Sequence, residues 1–196
     1  MNTGQWFLST DGTRWWFDSG SLSLDFAYTG SMGANPEWEK FRAPGDLGDW
    51  LAGRFDRVTA AATEGDLVDA LALRSAIANL AHSVSDGRSP SSDDIDTVNL
   101  YAATPNIPPA LAGGNRQAGR SSVRVGQALS SIARDSVELF GEAVHERIRL
   151  CAADDCGLIF FDESRSNNRR WCSMQRCGNR SKVRAHRARA AAGDYS

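Results

Sequence analysis

Apolar and polar positions follow two different rhythms along the chain, and these rhythms divide it into segments. Residues 5–17 place Trp6-Phe7-Leu8 and Trp15-Trp16-Phe17 on either side of Asp11-Gly12. That pair tolerates the positive φ angles of a type I′ turn, so the segment predicts a β-hairpin. Leu22-Ser23-Leu24-Asp25-Phe26-Ala27 reads as a short helix, and residues 30–45, rich in Gly and Pro, read as a loop. Asp46 can cap a short helix carrying Leu47, Trp50, Leu51 and Phe55. The clearest helix opens at Thr63-Glu64-Gly65-Asp66, which has capping-box spacing with Asp in place of Glu. Its stripe of Leu73, Ile77, Leu80 and Val84 occupies one helical face, and Asp86-Gly87 ends it. Ser91, just after Pro90, starts another helix with Ile95 and Val98. Residues 104–122, with three prolines and Gly113-Gly114-Asn115, predict a loop or weak hairpin. Val125, Leu129, Ile132, Val137 and Phe140 define one more long helix.

After residue 146 the pattern changes. Arg147-Ile148-Arg149-Leu150 and the β-rich run at 157–162 can pair as two short strands, and residues 179–190 form an Ala- and Arg-rich helix. Cys151, Cys156, Cys172 and Cys177 punctuate this stretch as C-x4-C, fifteen residues, C-x4-C. The expected fold is a mainly α N-terminal domain with an aromatic β-hairpin, residues 1–146. A small treble-clef-like β-hairpin-plus-helix zinc module follows at 147–196.

Composition adds compartment and partners. An apolar fraction of 41% and a charged fraction of 23% are those of an ordinary soluble chain. No apolar run approaches the roughly 20 residues of a membrane span, and no signal peptide is visible. The expected compartment is the cytoplasm, where thiols stay reduced, so four clustered cysteines point to one structural zinc ion. Two disulfides in a secreted protein are the competing reading. With all four ligands cysteine, the site has no open position for a catalytic water; a redox switch that ejects the metal is the minority alternative. Residues 1–146 carry 11 basic against 19 acidic side chains, a net of −8, and residues 147–196 carry 11 against 5, a net of +6. This asymmetry marks the zinc module as the part that meets a polyanion.

The residues here carry a resemblance. Trp171-Cys172-Ser173-Met174 followed by Cys177-Gly178-Asn179-Arg180, with Asp162, Ser164 and Arg170 upstream, resembles the bacterial CGNR zinc finger family. Leu24-Asp25-Phe26-Ala27-Tyr28-Thr29 and the helix order resemble its companion ABATE domain, whose description is stress-induced transcription regulation. Tyr28 stands where the family pattern expects Asn. The resemblance implies a DNA-binding transcriptional regulator, with the N-terminal domain sensing a small-molecule effector or forming a homodimer.

Between Arg165 and Arg189 there is no acid, so Arg169, Arg180, Lys182, Arg184, Arg187 and Arg189 are the expected DNA contacts. Arg180, Arg184 and Arg187 share one helical face. A zinc with four thiolates carries a net charge of −2, so Arg170, Arg176 and Arg180 are also candidates to neutralise it. Asp162, Arg170, Trp171 and Asn179 are expected to support the site, with Asp162 anchoring an arginine. Trp6, Trp15, Trp16, Trp38 and Trp50 read as core fillers. With no exposed aromatic beside the basic helix, RNA binding ranks below DNA. A basic module meeting an acidic protein partner is the main alternative. No nucleophile–base pair or phosphate loop is legible, so an enzyme is not expected.

Overall fold

The computed structural model describes residues 3–9, 12–30, 32, 38–56, 58, 61–109, 111, 122–141 and 145–193. The chain opens with an antiparallel hairpin of β1 (Gln5–Leu8) and β2 (Arg14–Phe17), in register Gln5 to Phe17 and Leu8 to Arg14. Asp11 of the expected type I′ turn lies outside the described residues. What is described is a longer closure, with the Ser9 N–H donating to Thr13 O at 3.0 Å and Gly12 at φ +80°. Alternation puts Phe7, Trp15 and Phe17 toward the core and Trp6, Leu8, Arg14 and Trp16 outward.

Among the described residues, five α-helices follow in the N-terminal part. α1 (Leu22–Ala27) is capped by the Ser21 hydroxyl and buried at all six positions. α2 (Pro44–Ala52) begins two residues before Asp46. Pro44 supplies a preset φ at the first helical position, and the Asp46 carboxylate accepts from the N–H groups of Arg42 and Ala43 at 2.8 Å. α3 (Glu64–Ser85) has the Thr63–Asp66 capping box and stops at Asp86, with Gly87 at φ +68°. α4 (Ser92–Ala102) is capped by Ser91. α5 (Val125–Leu139) buries Val125, Leu129, Ile132 and Leu139, but Val137 is 47% exposed. Five residues beyond Ile132, Val137 has turned about 140° away from the buried face. The turn at Gly113-Gly114-Asn115 lies outside the described residues.

α1 packs between α3 and α5, and α4 closes against both. The C-terminal part consists of a one-turn 3₁₀ segment at His145–Arg147, the antiparallel pair β3 (Ile148–Leu150) and β4 (Ile159–Phe161), a π-helical turn at Met174–Gly178 and α6 (Asn179–Gly193). Its apolar residues Ile148, Leu158, Ile159 and Phe160 belong to the same continuous core as Phe7, Phe17, Phe26 and Tyr28.

Backbone hydrogen bonds complete the junction. The Phe161 N–H donates to Ser19 O at 2.8 Å, so residues 18–20 run along the free edge of β4. Gly20, at φ +78°, allows this approach, because a Cβ there would meet the Phe161 carbonyl oxygen at 2.5 Å. Tyr28, fully buried, donates its hydroxyl to Ile159 O at 2.9 Å and accepts from Ile159 N–H at 2.7 Å. Tyr28 is thus one of the polar links between the two parts of the chain, beside the Phe161–Ser19 backbone bond.

Candidate metal centre and nucleic-acid interface

Each cysteine is held by local backbone. Cys151 follows β3, and its N–H donates to Leu158 O at 2.8 Å; the first knuckle closes with Cys156 N–H on Ala153 O at 2.9 Å. Cys172 precedes the π-helical turn, which contains Cys177 and is capped by the Ser173 hydroxyl. Within that turn Gly178 passes close to Met174, whose thioether sulfur a Cβ would meet at 2.9 Å.

The four Sγ atoms lie within 4.8 Å of one another, with Cys156–Cys172 at 3.6 Å and Cys172–Cys177 at 3.5 Å. Sulfurs bound to one zinc at about 2.3 Å sit about 3.8 Å apart in a tetrahedron, so this donor set fits the ion. Three of the cysteines are buried and Cys156 is half-buried. The sulfurs also accept hydrogen bonds, Cys151 from the Cys172 N–H at 3.4 Å and Cys177 from Arg180 Nη2 at 3.2 Å. Such donors orient thiolate ligands and offset their charge. The bound ion supplies a cross-link between β3, the two knuckles and the start of α6, and the chain contributes the closed sulfur cage.

Around the cage the supporting residues take distinct positions. Asp162 is fully buried. Burial alone would raise its carboxyl, but bonds from Ser164 and the Arg169 N–H, with Arg149 at 3.7 Å, outweigh that and hold it below 3.8. The arginine it anchors by charge is Arg149, in a strand where the alternation pattern gave no reason to look. Arg169, expected to meet DNA, is turned inward. Its guanidinium donates to the carbonyls of Asp18, Trp171 and Cys172 and lies 4.2 Å from the centre of the Phe160 ring. Arg170 is exposed and covers the Trp171 ring at 4.6 Å, while Trp171 packs partly buried against the core. Arg176 lies 4.2 Å over Trp15 of the N-terminal hairpin, and Asn179 opens α6.

The basic helix divides into two groups. Arg180 and Arg184 both reach Asp155 of the first knuckle, at 3.1 and 2.7 Å. Lys182, Arg187 and Arg189 are exposed and form no ion pair among the described residues. From Lys182 to Ala190 every side chain is exposed, so α6 projects from the body of the molecule. Asp155 was not legible as a partner, because only the fold brings it beside residues 25 and 29 positions later.

In the N-terminal part, Trp15, Trp38 and Trp50 pack against the core as expected, but Trp6 and Trp16 do not. They are 52% and 44% exposed, because the strand alternation that buries Phe7 and Phe17 turns them outward. Two titratable groups are perturbed here. Burial pushes Asp25 up to about 6 against the pull of Ser19, Gly4 and Arg54, and burial lowers Lys40 to about 8. Neither lines the open groove of about 770 Å³ that runs past Ser21, Asn106, Arg134, Asp135, Glu138 and Glu163. No helix among the described residues is long and apolar enough to cross a membrane.

Comparison with known families agrees with this architecture. Residues 147–190 match the CGNR zinc finger, and residues 20–143 match ABATE, described as "Putative stress-induced transcription regulator". Neither description names a reaction. No curated protein matches the chain. The ABATE match spans well over half of the sequence, and with the four-cysteine cage in place after it, the chain belongs to the ABATE family and carries a C-terminal CGNR zinc finger.

Proposed function

We propose that the protein is a DNA-binding transcriptional regulator of the cytoplasm, in which residues 147–192 contact duplex DNA and residues 1–146 sense or dimerise. The observation that carries this reading is α6, an exposed helix fixed to the zinc cage at one end and free of acids along its length. Lys182, Arg187 and Arg189 offer cations to phosphates directly, and Arg180 and Arg184 can exchange Asp155 for phosphate. A helix of this length fits a major groove. The regulator descriptions of the matched families support the same reading. In this reading an effector would bind the groove between α1, α5 and Glu163, which touches both parts of the chain.

Titration of zinc-loaded protein against labelled duplex DNA at several salt concentrations tests this. Neutralising five phosphates would give a slope of log K against log salt of about −4.5. Arg184→Ala with Arg187→Ala should abolish binding. A double variant that binds duplex as well as the native chain would overturn the assignment of α6.

A further inference from the structure

The outer face of the N-terminal hairpin and the second zinc knuckle together form a surface whose chemistry differs from that of α6. Trp6 and Trp16 are cross-strand partners on that face, with ring centroids 5.5 Å apart and planes at 74°. Arg14 covers the Trp6 ring at 5.0 Å. The Trp16 indole rests on Gly4, where a Cβ would meet the ring at 2.5 Å, and this close approach sets the orientation of the ring. Its open side forms one wall of a groove of about 660 Å³. The opposite wall comes from the zinc module, with Asn168, Arg170, Trp171, Met174 and Gln175.

Trp6 and Trp16 keep about half of their surface in solvent and touch each other, Gly4 and Arg14, not the core, so core packing does not account for them. The groove beside them combines aromatic surface, an exposed guanidinium and two side-chain amides, with Asp18 the only acidic lining residue among the described residues. Unpaired nucleotides match each component: bases stack on indoles, amides bond base edges, and guanidinium groups meet phosphates. Paired bases keep their faces inside the duplex and cannot use the indoles. We propose that this face binds a single strand of nucleic acid, with Trp16 and Trp6 as stacking platforms and Arg170 and Arg14 as phosphate contacts. This surface stands apart from α6 and does not depend on duplex binding there.

The test uses the full zinc-loaded chain with fluorescently labelled twelve-residue oligo-dT and oligo-rU and a duplex control at low salt. Trp16→Ala should weaken strand binding about tenfold or more, since loss of one stacked base has effects of that order, and Arg170→Ala should weaken it and lower its salt dependence through loss of a phosphate contact. Both should leave duplex binding within twofold, and Trp16→Phe should recover most of the strand affinity. Arg184→Ala with Arg187→Ala should show the reverse pattern, so failure at α6 and failure at the hairpin are separable. Equal affinity for both strands, or a preference for either, supports the platform and identifies the sugar it accepts. Absence of strand binding, or unchanged affinity in a folded Trp16→Ala variant, would overturn it. So would a Trp16→Ala variant whose only change is in sedimentation, because the face would then be a contact between two copies of the chain.

Discussion

Tyr28→Phe isolates the joint between the helical part and the zinc module. The substitution removes one oxygen and keeps the ring, which packs edge-on against Phe7 and Phe17 at 5.7 and 5.0 Å. The Ile159 N–H and C=O both lose their partner, in a residue with no exposed surface. Each buried backbone group left unpaired costs about 1–3 kcal/mol, so the pair should lower stability by about 2–6 kcal/mol. That is a large share of the roughly 5–15 kcal/mol available to a folded domain. For a chain of this size it corresponds to a drop of about 4–24 °C in Tm. Urea unfolding of the zinc-loaded protein gives the free energy, and hydrogen exchange at the Ile159 amide reports the local effect. A Phe variant within about 0.5 kcal/mol of the native chain, with Ile159 as slowly exchanging as before, would refute the clasp.

Removing zinc with a chelator should strip exchange protection from residues 147–190, where the ion cross-links β3, the two knuckles and α6 with a contribution on the order of 10–16 kcal/mol. The amides of α3, α4 and α5 should stay protected, and retention of protection at Cys151 and Phe161 would contradict the structural role of the cage. Asp155→Ala should release Arg180 and Arg184 from the first knuckle. Because both guanidinium groups then reach phosphate without first leaving a carboxylate, duplex affinity should rise while the slope stays near about −4.5, and an unchanged affinity would show that Asp155 does not compete with phosphate. Asp25 makes stability pH-dependent in an unusual direction. Its folded value of about 6 lies above the 3.8 of an ordinary aspartate, so its contribution is full below pH 4 and is lost as pH rises through 6. Relative to Asp25→Asn, the native chain should lose on the order of 3 kcal/mol between pH 4 and 7, and a pH-independent difference would exclude this.

Local features of the chain were legible wherever a short-range rule governs them. Thr63 and Asp66 specify the start of α3, the spacing of the cysteines specifies the cage, and the β-rich runs at 147–150 and 157–162 specify a pairing that the register confirms. The type of each aromatic was visible, but its environment was not. Trp15 and Trp16 are neighbours in sequence, yet one lies against the core under Arg176 and the other faces the groove. Adjacent strand residues point to opposite faces, and composition cannot say which face is covered. The positive charge near the cysteines divides for a similar reason. Arg169 is consumed by carbonyls at Asp18, Trp171 and Cys172, and Arg184 by Asp155, while Lys182, Arg187 and Arg189 are left outward.

The sequence by itself therefore determined the elements and the metal, because capping, periodicity and ligand spacing act over a few residues. Only the tertiary structure decided how the two parts join. Tyr28 finds Ile159 across 131 residues, and Gly20 lets residues 18–20 lie against β4. Those contacts depend on the packing of α1 against α3 and α5, and no local pattern in the chain records that geometry.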